Sequence, residues 1–171
     1  VEAVFSVFNS VDSDGDVVLP NSIKSGYGDK GVAMVWGHDW KDVIGRGEIV
    51  QDNDKAVFKG QFIMDTERGR EAYNTVKAMG DLQQWSFGYE VLDSENGVFK
   101  KDGEAEVDVR YLKDLKVWEV SPVLVGANQQ THTLAVKEQQ DDKEIKEAPK
   151  EEGKRFTDEI ADVLNALVSV T

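Results

Sequence analysis

The chain has 171 residues, no cysteine and a formal net charge of −13. This length suits one domain of ordinary size, and the lack of cysteine excludes disulfides, thiolate catalysis and cysteine metal sites. The acidic balance repels phosphate backbones, so nucleic-acid binding is not expected. No apolar run reaches the roughly 18–20 residues that span a bilayer, and no signal-peptide pattern opens the chain, so no membrane partner is expected either.

The first predicted element is a strand over residues 2–8, which are rich in β-branched and aromatic side chains. An acidic turn at 12–16 and a returning strand at 17–19 follow. Acids recur at every second position of the turn, but Val17 stands where an EF-hand needs its glycine and Ile23 where it needs its glutamate. The segment therefore predicts a hairpin turn in which a glycine supplies positive φ, and no metal site.

The middle of the chain predicts a loop at 21–31 and then three strands, at 32–36, 43–50 and 55–63. The last two strands form a hairpin around the turn at 52–54. A helix to Met79 follows, because Asp65 or Thr66 can cap its start and Gly80 can end it. This helix carries one apolar stripe, which indicates core packing: Ala72, Val76 and Met79.

A strand over 84–92 carries Ser86, and a turn-prone segment at 93–103 separates it from a strand at 107–112. Residues 115–125 form the most apolar run of the chain, which predicts a central strand. Six or seven strands with one clear helix predict a mainly β domain, either a barrel or a sandwich, and not an alternating βαβ fold.

The composition changes after Val136. Residues 137–155 hold seven acids and six bases among nineteen residues, which predicts a charged flexible linker. The segment 156–171 fits an amphipathic helix that docks either on the domain or on a partner. The expected organisation is therefore a domain at 1–136, a linker at 137–155 and a C-terminal helix at 156–171.

Three scattered residues have the chemistry needed to make a hydroxyl nucleophilic at neutral pH: Ser86, His38 and Glu119. Ser86 lies among aromatic residues, His38 ends the strand at 32–36, and Glu119 lies in the apolar run at 115–125. As a base, His38 must come within about 3 Å of the Ser86 hydroxyl when substrate is bound. A carboxylate in a central strand is costly to bury without a partner, which His38 would provide.

Simpler interpretations stay open for each of these residues. Ser86 can be an ordinary strand residue, and His38 can be a packed histidine. Glu119 can pair with an arginine such as Arg46 or Arg110. His132, the second histidine of the chain, could also replace Glu119 as the third member of a triad.

Five segments resemble, in order and spacing, the tailed-phage prohead (capsid maturation) proteases: 9–18, 36–39, 65–72, 86–89 and 118–121. The resemblance covers roughly residues 3–130. That family is similar in fold to herpesvirus assemblin, so the resemblance implies a closed or nearly closed β-barrel of six to seven strands with flanking helices. It also implies that Ser86 is the nucleophile and His38 the base. Because the herpesvirus relatives use a second histidine, the choice between Glu119 and His132 stays open.

The resemblance implies a serine endopeptidase without a cofactor. Such an enzyme would act inside the viral prohead in the host cytoplasm, where it cuts the scaffold or the scaffold-like arm of the major capsid protein, and itself. Self-association is expected by analogy with assemblin. Two other functions remain open: a catalytically silent β-barrel adaptor that binds the scaffold through its C-terminal helix, and a calcium-stabilised binding module built on residues 12–16.

Overall fold

The computed structural model of the protein describes residues 1–100, 103 and 105–137. The predicted helix at 156–171 and the predicted linker beyond residue 137 lie outside the described residues, so the domain boundaries stay predictions. The described part is mainly β, with one α-helix and nine strands: β1 Glu2–Val7, β2 Asp16–Val18, β3 Ile23–Ser25, β4 Val32–Trp36, β5 Asp39–Gln51, β6 Lys55–Phe62, α1 Glu67–Met79, β7 Gln84–Phe99, β8 Val107–Val123 and β9 His132–Ala135. Two 3₁₀ turns, Gly28–Lys30 and Gly80–Leu82, complete these elements.

β8 contains most of the apolar run at 115–125 and has neighbouring strands along both of its edges, as the prediction of a central strand there requires. Along one edge β8 pairs antiparallel with β7. Along its other edge it pairs in parallel with β2, then β3, then β4. The sheet continues from β4 through β5, β6 and β1 to β9, with antiparallel neighbours.

The prediction of a mainly β fold is confirmed, but the closed or nearly closed barrel of six to seven strands needs correction, because the sheet has nine strands and does not close. Within the described residues, no backbone ladder joins β7 to β9. Hydrogen bonds to two threonine side chains connect β7 to β9 and to the residue before it: the backbone N–H of Trp85 donates to Oγ1 of Thr131 over 3.1 Å, and its indole N–H donates to Oγ1 of Thr133 over 2.9 Å. The sheet edges therefore meet around one buried tryptophan rather than through a continuous ladder.

Several predicted boundaries are also wrong. The turn-prone segment at 93–103 is mostly strand, because β7 follows β8 through register shifts near Asp93 and both strands extend far beyond the core. The strands predicted at 107–112 and 115–125 are one strand, and β3 lies in the predicted loop at 21–31. In each case pairing with a distant strand overrides the local turn signal.

The core is one cluster of buried side chains, most of them from the strands, to which α1 contributes Ala72 and Val76. Its largest fully buried side chains include Trp85, Phe5, Phe58, Met34 and Ile44. The predicted helix is confirmed: Oγ1 of Thr66 caps it by accepting the Gly69 N–H. Ala72 and Val76 of its apolar stripe are buried, whereas Met79 at the end of the helix is only half-buried, so its predicted core packing is corrected. Among the residues that the structure describes, no helix has the length and apolarity needed to cross a membrane.

Candidate active site

A two-residue turn between β4 and β5 positions His38. Trp36 pairs with Asp39, which leaves Gly37 and His38 at the tip with φ of 57° and 65°. Positive φ at both central residues is what a type I′ hairpin turn requires. The tip contacts β8 through two hydrogen bonds, from the Gly37 N–H to the Pro122 carbonyl over 3.3 Å and from the His38 N–H to Oγ of Ser121 over 3.0 Å. The hairpin thus holds the imidazole against the central strand.

His38 and Glu119, two of the predicted catalytic residues, are in direct contact. Nδ1 of His38 lies 2.6 Å from Oε1 of Glu119, whose side chain is 2% exposed while that of His38 is 42% exposed. This hydrogen bond raises the pKa of His38 above its ordinary value, and partial burial opposes the rise. Because the carboxylate accepts the Nδ1 proton, the lone pair of the neutral ring lies on Nε2. The ring is thereby prepared to accept a proton at Nε2.

Ser121 completes a closed set of hydrogen bonds around the pair. Its hydroxyl donates to Oε2 of Glu119 over 2.6 Å and accepts the backbone N–H of His38. Both carboxylate oxygens of Glu119 are therefore engaged, one by His38 and one by Ser121. We call His38, Glu119 and Ser121 the hydrogen-bonded triangle.

The simpler partners considered for Glu119 are occupied elsewhere. Arg46 donates to the Lys30 carbonyl, and Arg110 forms a two-point contact with Asp16. His132 is exposed, and its Nδ1 lies 2.9 Å from the carbonyl of Gln130. Of the ionisable side chains considered as partners of Glu119, the one in contact with it is therefore His38.

Ser86 lies across the β7–β8 ladder from the hydrogen-bonded triangle. It is half-buried and pairs directly with Ser121. Residues directly opposite in an antiparallel pair project to the same face of the sheet, so Ser86 shares a face with Ser121 and Glu119. Its hydroxyl is not part of the triangle itself. The structure thus brings His38 and Glu119 into contact and sets Ser86 on the neighbouring strand, on the same face.

The position of Gly88, two residues after Ser86, requires a glycine. It pairs with Glu119, and a Cβ at this position would lie 2.5 Å from Oε1 of Glu119. Any side chain here would therefore displace the carboxylate. Sequence reasoning gave no role to Gly88 or to Ser121. The available signal for Ser121 was its spacing of two from Glu119, which puts both side chains on one face of a strand.

A groove of about 400 Å³ lies beside the hairpin tip. It carries no charged lining side chain and is formed by the end of β4, the end of α1 and the chain that leaves β8: Trp36, Gly37, Thr75, Met79, Gln83 and residues 122–125. Leu124 and Val125 are 77% and 75% exposed. Since Gly37 precedes His38 and Pro122 follows Ser121, this mainly apolar groove adjoins the hydrogen-bonded triangle.

The loop at 126–128 follows β8, and its backbone amides are one possible source of the hydrogen-bond donors that stabilise an oxyanion. Its Gly126 N–H donates to Oε1 of Gln84 over 2.8 Å, so this amide already has an acceptor. The Asn128 side chain donates to the Val7 carbonyl, which ties the loop to β1. These contacts are structural.

The acidic turn at 12–16 is also held by internal contacts. Oδ1 of Asp12 accepts the N–H groups of Asp14 and Asp16, each over 2.9 Å, and burial raises the pKa of Asp12. Asp16 in turn accepts two hydrogen bonds from Arg110. In the described part of the chain, no three His, Asp or Glu side chains are grouped to hold a metal ion.

A histidine that is hydrogen-bonded to a buried carboxylate, with a serine on the same face of the sheet one strand away, supplies the three residue types that serine hydrolases use. The family model of the caudovirus prohead serine protease matches residues 1–146. The chain therefore belongs to this family, as the resemblance indicated.

A similar protein is the prohead protease of Enterobacteria phage HK97, which is 24% identical over 139 residues. The alignment covers 80% of this chain and 59% of the relative, so the chain spans less than two thirds of that protein's length. No solved structure matches the chain.

Proposed function

We propose that this chain is a serine endopeptidase in which Ser86 is the nucleophile, His38 the general base and Glu119 the acid that orients the imidazole. The observation that carries the proposal is the 2.6 Å contact between His38 Nδ1 and the buried Glu119 carboxylate. It fixes the tautomer in which Nε2 accepts a proton. Membership of the prohead serine protease family supports the same reaction class.

In the proposed reaction, Nε2 of His38 takes the hydroxyl proton as Ser86 attacks the carbonyl carbon of the scissile peptide bond. Glu119 stabilises the imidazolium that forms. The imidazolium then gives its proton to the leaving amine, which leaves an acyl group on Ser86. His38 next removes a proton from water, and the resulting attack releases the acid and restores the serine hydroxyl.

The negative charge on the tetrahedral intermediate needs hydrogen-bond donors about 3 Å away. We assign this role to backbone amides near Ser86, since the Gly126 amide already donates to Gln84. The third member of the proposed triad is Glu119 rather than His132, because Glu119 contacts His38 whereas His132 contacts the Gln130 carbonyl.

Membership of the prohead serine protease family and similarity to the prohead protease of phage HK97 support a role in prohead maturation. We propose that the enzyme acts inside the prohead in the host cytoplasm. There it would cleave the scaffolding protein, or the scaffold-like arm of the major capsid protein, and itself. In this scheme the segment at 137–155 is a self-cleavage region and the segment at 156–171 binds the scaffold. Deleting both should reduce incorporation into proheads while cleavage of a peptide substrate continues, and unchanged incorporation would contradict this role.

A fluorophosphonate probe tests the proposal, because it bonds covalently to an activated serine. We expect an adduct on Ser86 that Ser86→Ala and His38→Ala abolish. Ser94→Ala is the matched control, since Ser94 lies on the exposed part of the same strand, and it should leave labelling unchanged. Labelling should be repeated over a range of protein concentrations, because self-association would make the rate rise with concentration. A chain that is never labelled would instead be the silent adaptor.

A further inference from the structure

Ser121 contacts both His38 and Glu119, yet it has no role in the reaction described above. Its hydroxyl donates to Oε2 of Glu119 over 2.6 Å and accepts the backbone N–H of His38 over 3.0 Å. We propose that Ser121 is a positioning residue that fixes the Glu119 carboxylate and the β4–β5 hairpin tip relative to each other. This inference rests on the proposed serine endopeptidase function.

The burial of Ser121 supports a positioning role. Its side chain is 0% exposed, and a buried hydroxyl must find partners inside the protein. The Ser121 hydroxyl donates a hydrogen bond to Glu119 and accepts one from the His38 amide. Its partners are therefore the two residues of the proposed catalytic pair. The same burial keeps a peptide carbonyl from reaching Oγ, and the hydroxyl proton is committed to a carboxylate. Ser121 is therefore not an alternative nucleophile.

The contact with Oε2 restricts how the Glu119 carboxylate can rotate. A glutamate side chain has several rotatable bonds, and holding it in one conformation costs entropy. With His38 on Oε1 and Ser121 on Oε2, the plane of the carboxylate is set from both sides. Gly88 leaves room for that plane, since a Cβ there would lie 2.5 Å from Oε1. The carboxylate therefore has one orientation in which all of these contacts are made.

The contact with the His38 amide restricts the hairpin tip. His38 has a φ of 65°, a conformation that is uncommon for residues other than glycine and that surrounding contacts must hold. The bond to Ser121 is shorter than the neighbouring bond from Gly37 to the Pro122 carbonyl, at 3.0 Å against 3.3 Å. Without it, the imidazole would keep its carboxylate partner but lose the anchor of its own backbone. A displacement of about 1 Å in such a group can cost about 100-fold in rate.

Three substitutions at Ser121 in the full chain separate hydrogen bonding from packing. Ser121→Cys keeps nearly the same shape but has a weak donor, Ser121→Ala has none, and Ser121→Thr keeps the hydroxyl on a residue that suits a strand. We expect fluorophosphonate labelling of Ser86 to slow by about 10- to 100-fold in Ser121→Cys and Ser121→Ala, and Ser121→Thr to recover part of the rate. A wild-type rate in a folded Ser121→Cys variant would overturn the proposal.

A proton NMR measurement separates this inference from the proposed function. In the Ser86→Ala variant, which has no nucleophile, the Nδ1 proton shared by His38 and Glu119 should give a low-field resonance. Glu119→Gln should remove this signal. Adding Ser121→Cys to Ser86→Ala should shift or broaden it, and an unchanged signal would overturn the positioning role. If the wild-type chain is never labelled, the endopeptidase function fails, and the resonance alone decides the role of Ser121.

Discussion

Two buried carboxylates lie on or against the central strand, and each is 2% exposed. Asp16 on β2 accepts two hydrogen bonds from Arg110 of β8, over 2.8 Å and 2.5 Å. Glu119 of β8 instead contacts His38. An arginine is charged at every accessible pH, whereas a histidine exchanges its proton near neutrality. The Asp16–Arg110 pair can therefore only hold the fold together, while the Glu119–His38 pair can also move a proton.

The largest expected contrast comes from neutralising each carboxylate without changing its shape. Glu119→Gln should slow fluorophosphonate labelling by about three to four orders of magnitude, because the imidazole loses its orienting charge. Asp16→Asn should leave the labelling rate of the folded protein nearly unchanged. It should lower the free energy of unfolding by about 2 kcal/mol, less than for a fully buried ion pair because the Arg110 side chain is 46% exposed.

Labelling kinetics and chemical denaturation of the two variants measure this contrast. If Asp16→Asn impaired labelling as strongly as Glu119→Gln in the folded state, the two pairs would not have separate roles.

Replacing a glycine of β7 by alanine, either opposite Glu119 or far from it, tests whether the space around the Glu119 carboxylate matters for labelling. In Gly88→Ala the new Cβ would lie 2.5 Å from Oε1 of Glu119, so the carboxylate must move, and we expect labelling to slow by about 100-fold. Gly97→Ala is the matched control on the same strand, since its Cβ would meet the ring of Tyr111, at 2.9 Å, far from His38. Equal labelling rates in the two variants would show that the close fit around Glu119 has no catalytic value.

The pH dependence of the labelling rate should follow the His38–Glu119 pair and not the Asp16–Arg110 pair. Because Glu119 raises the pKa of His38 above its ordinary value of 6.5, the labelling rate should rise with pH with a midpoint above 6.5. Glu119→Gln removes the cause of the shift, so the midpoint of its residual rate should move down.

The same shift has a consequence for stability. A raised histidine pKa stabilises the folded state fully below the unfolded pKa, and this contribution is lost as the pH rises through the folded pKa. The stability difference between wild type and Glu119→Gln should therefore shrink as the pH rises from 6.5 through the raised pKa of His38. The pKa of Arg110 is raised above its ordinary value by its hydrogen bonds to Asp16, so the effect of Asp16→Asn should stay constant over this range. A constant difference for Glu119→Gln would contradict the assignment.

The parts of the fold that depend on residues close together in the sequence were predictable. The hairpin of β5 and β6 and the capped helix α1 carry their alternation, turn and cap within short segments. The parallel pairings of β2 and β3 with β8, and the extension of β7 beyond Leu92, could not be predicted. They depend on contacts between segments far apart in sequence, which a local pattern such as the turn-prone run at 93–103 does not report.

The candidate site divides in the same way. The chemistry of His38 and Glu119 was visible because a lone histidine at a strand end and a carboxylate in an apolar strand both need partners. The roles of Ser121 and Gly88 were not visible, because they follow from the register between β7 and β8. That register sets Ser86 opposite Ser121 and Gly88 opposite Glu119, and a one-residue slip would reverse the faces.

The smallest expected effect concerns Asp12, next to the Asp16–Arg110 pair. Its carboxylate accepts two backbone N–H groups of the acidic turn, which is the usual role of an aspartate that stabilises a turn. Asp12→Ala should therefore lower the free energy of unfolding by about 1 kcal/mol, equally in EDTA and in millimolar calcium. The wild-type melting temperature should also be the same in both buffers. If calcium stabilised the wild type but not Asp12→Ala, the turn would be a cation site, and this acidic region would have a ligand-binding role that its contacts with Arg110 do not indicate.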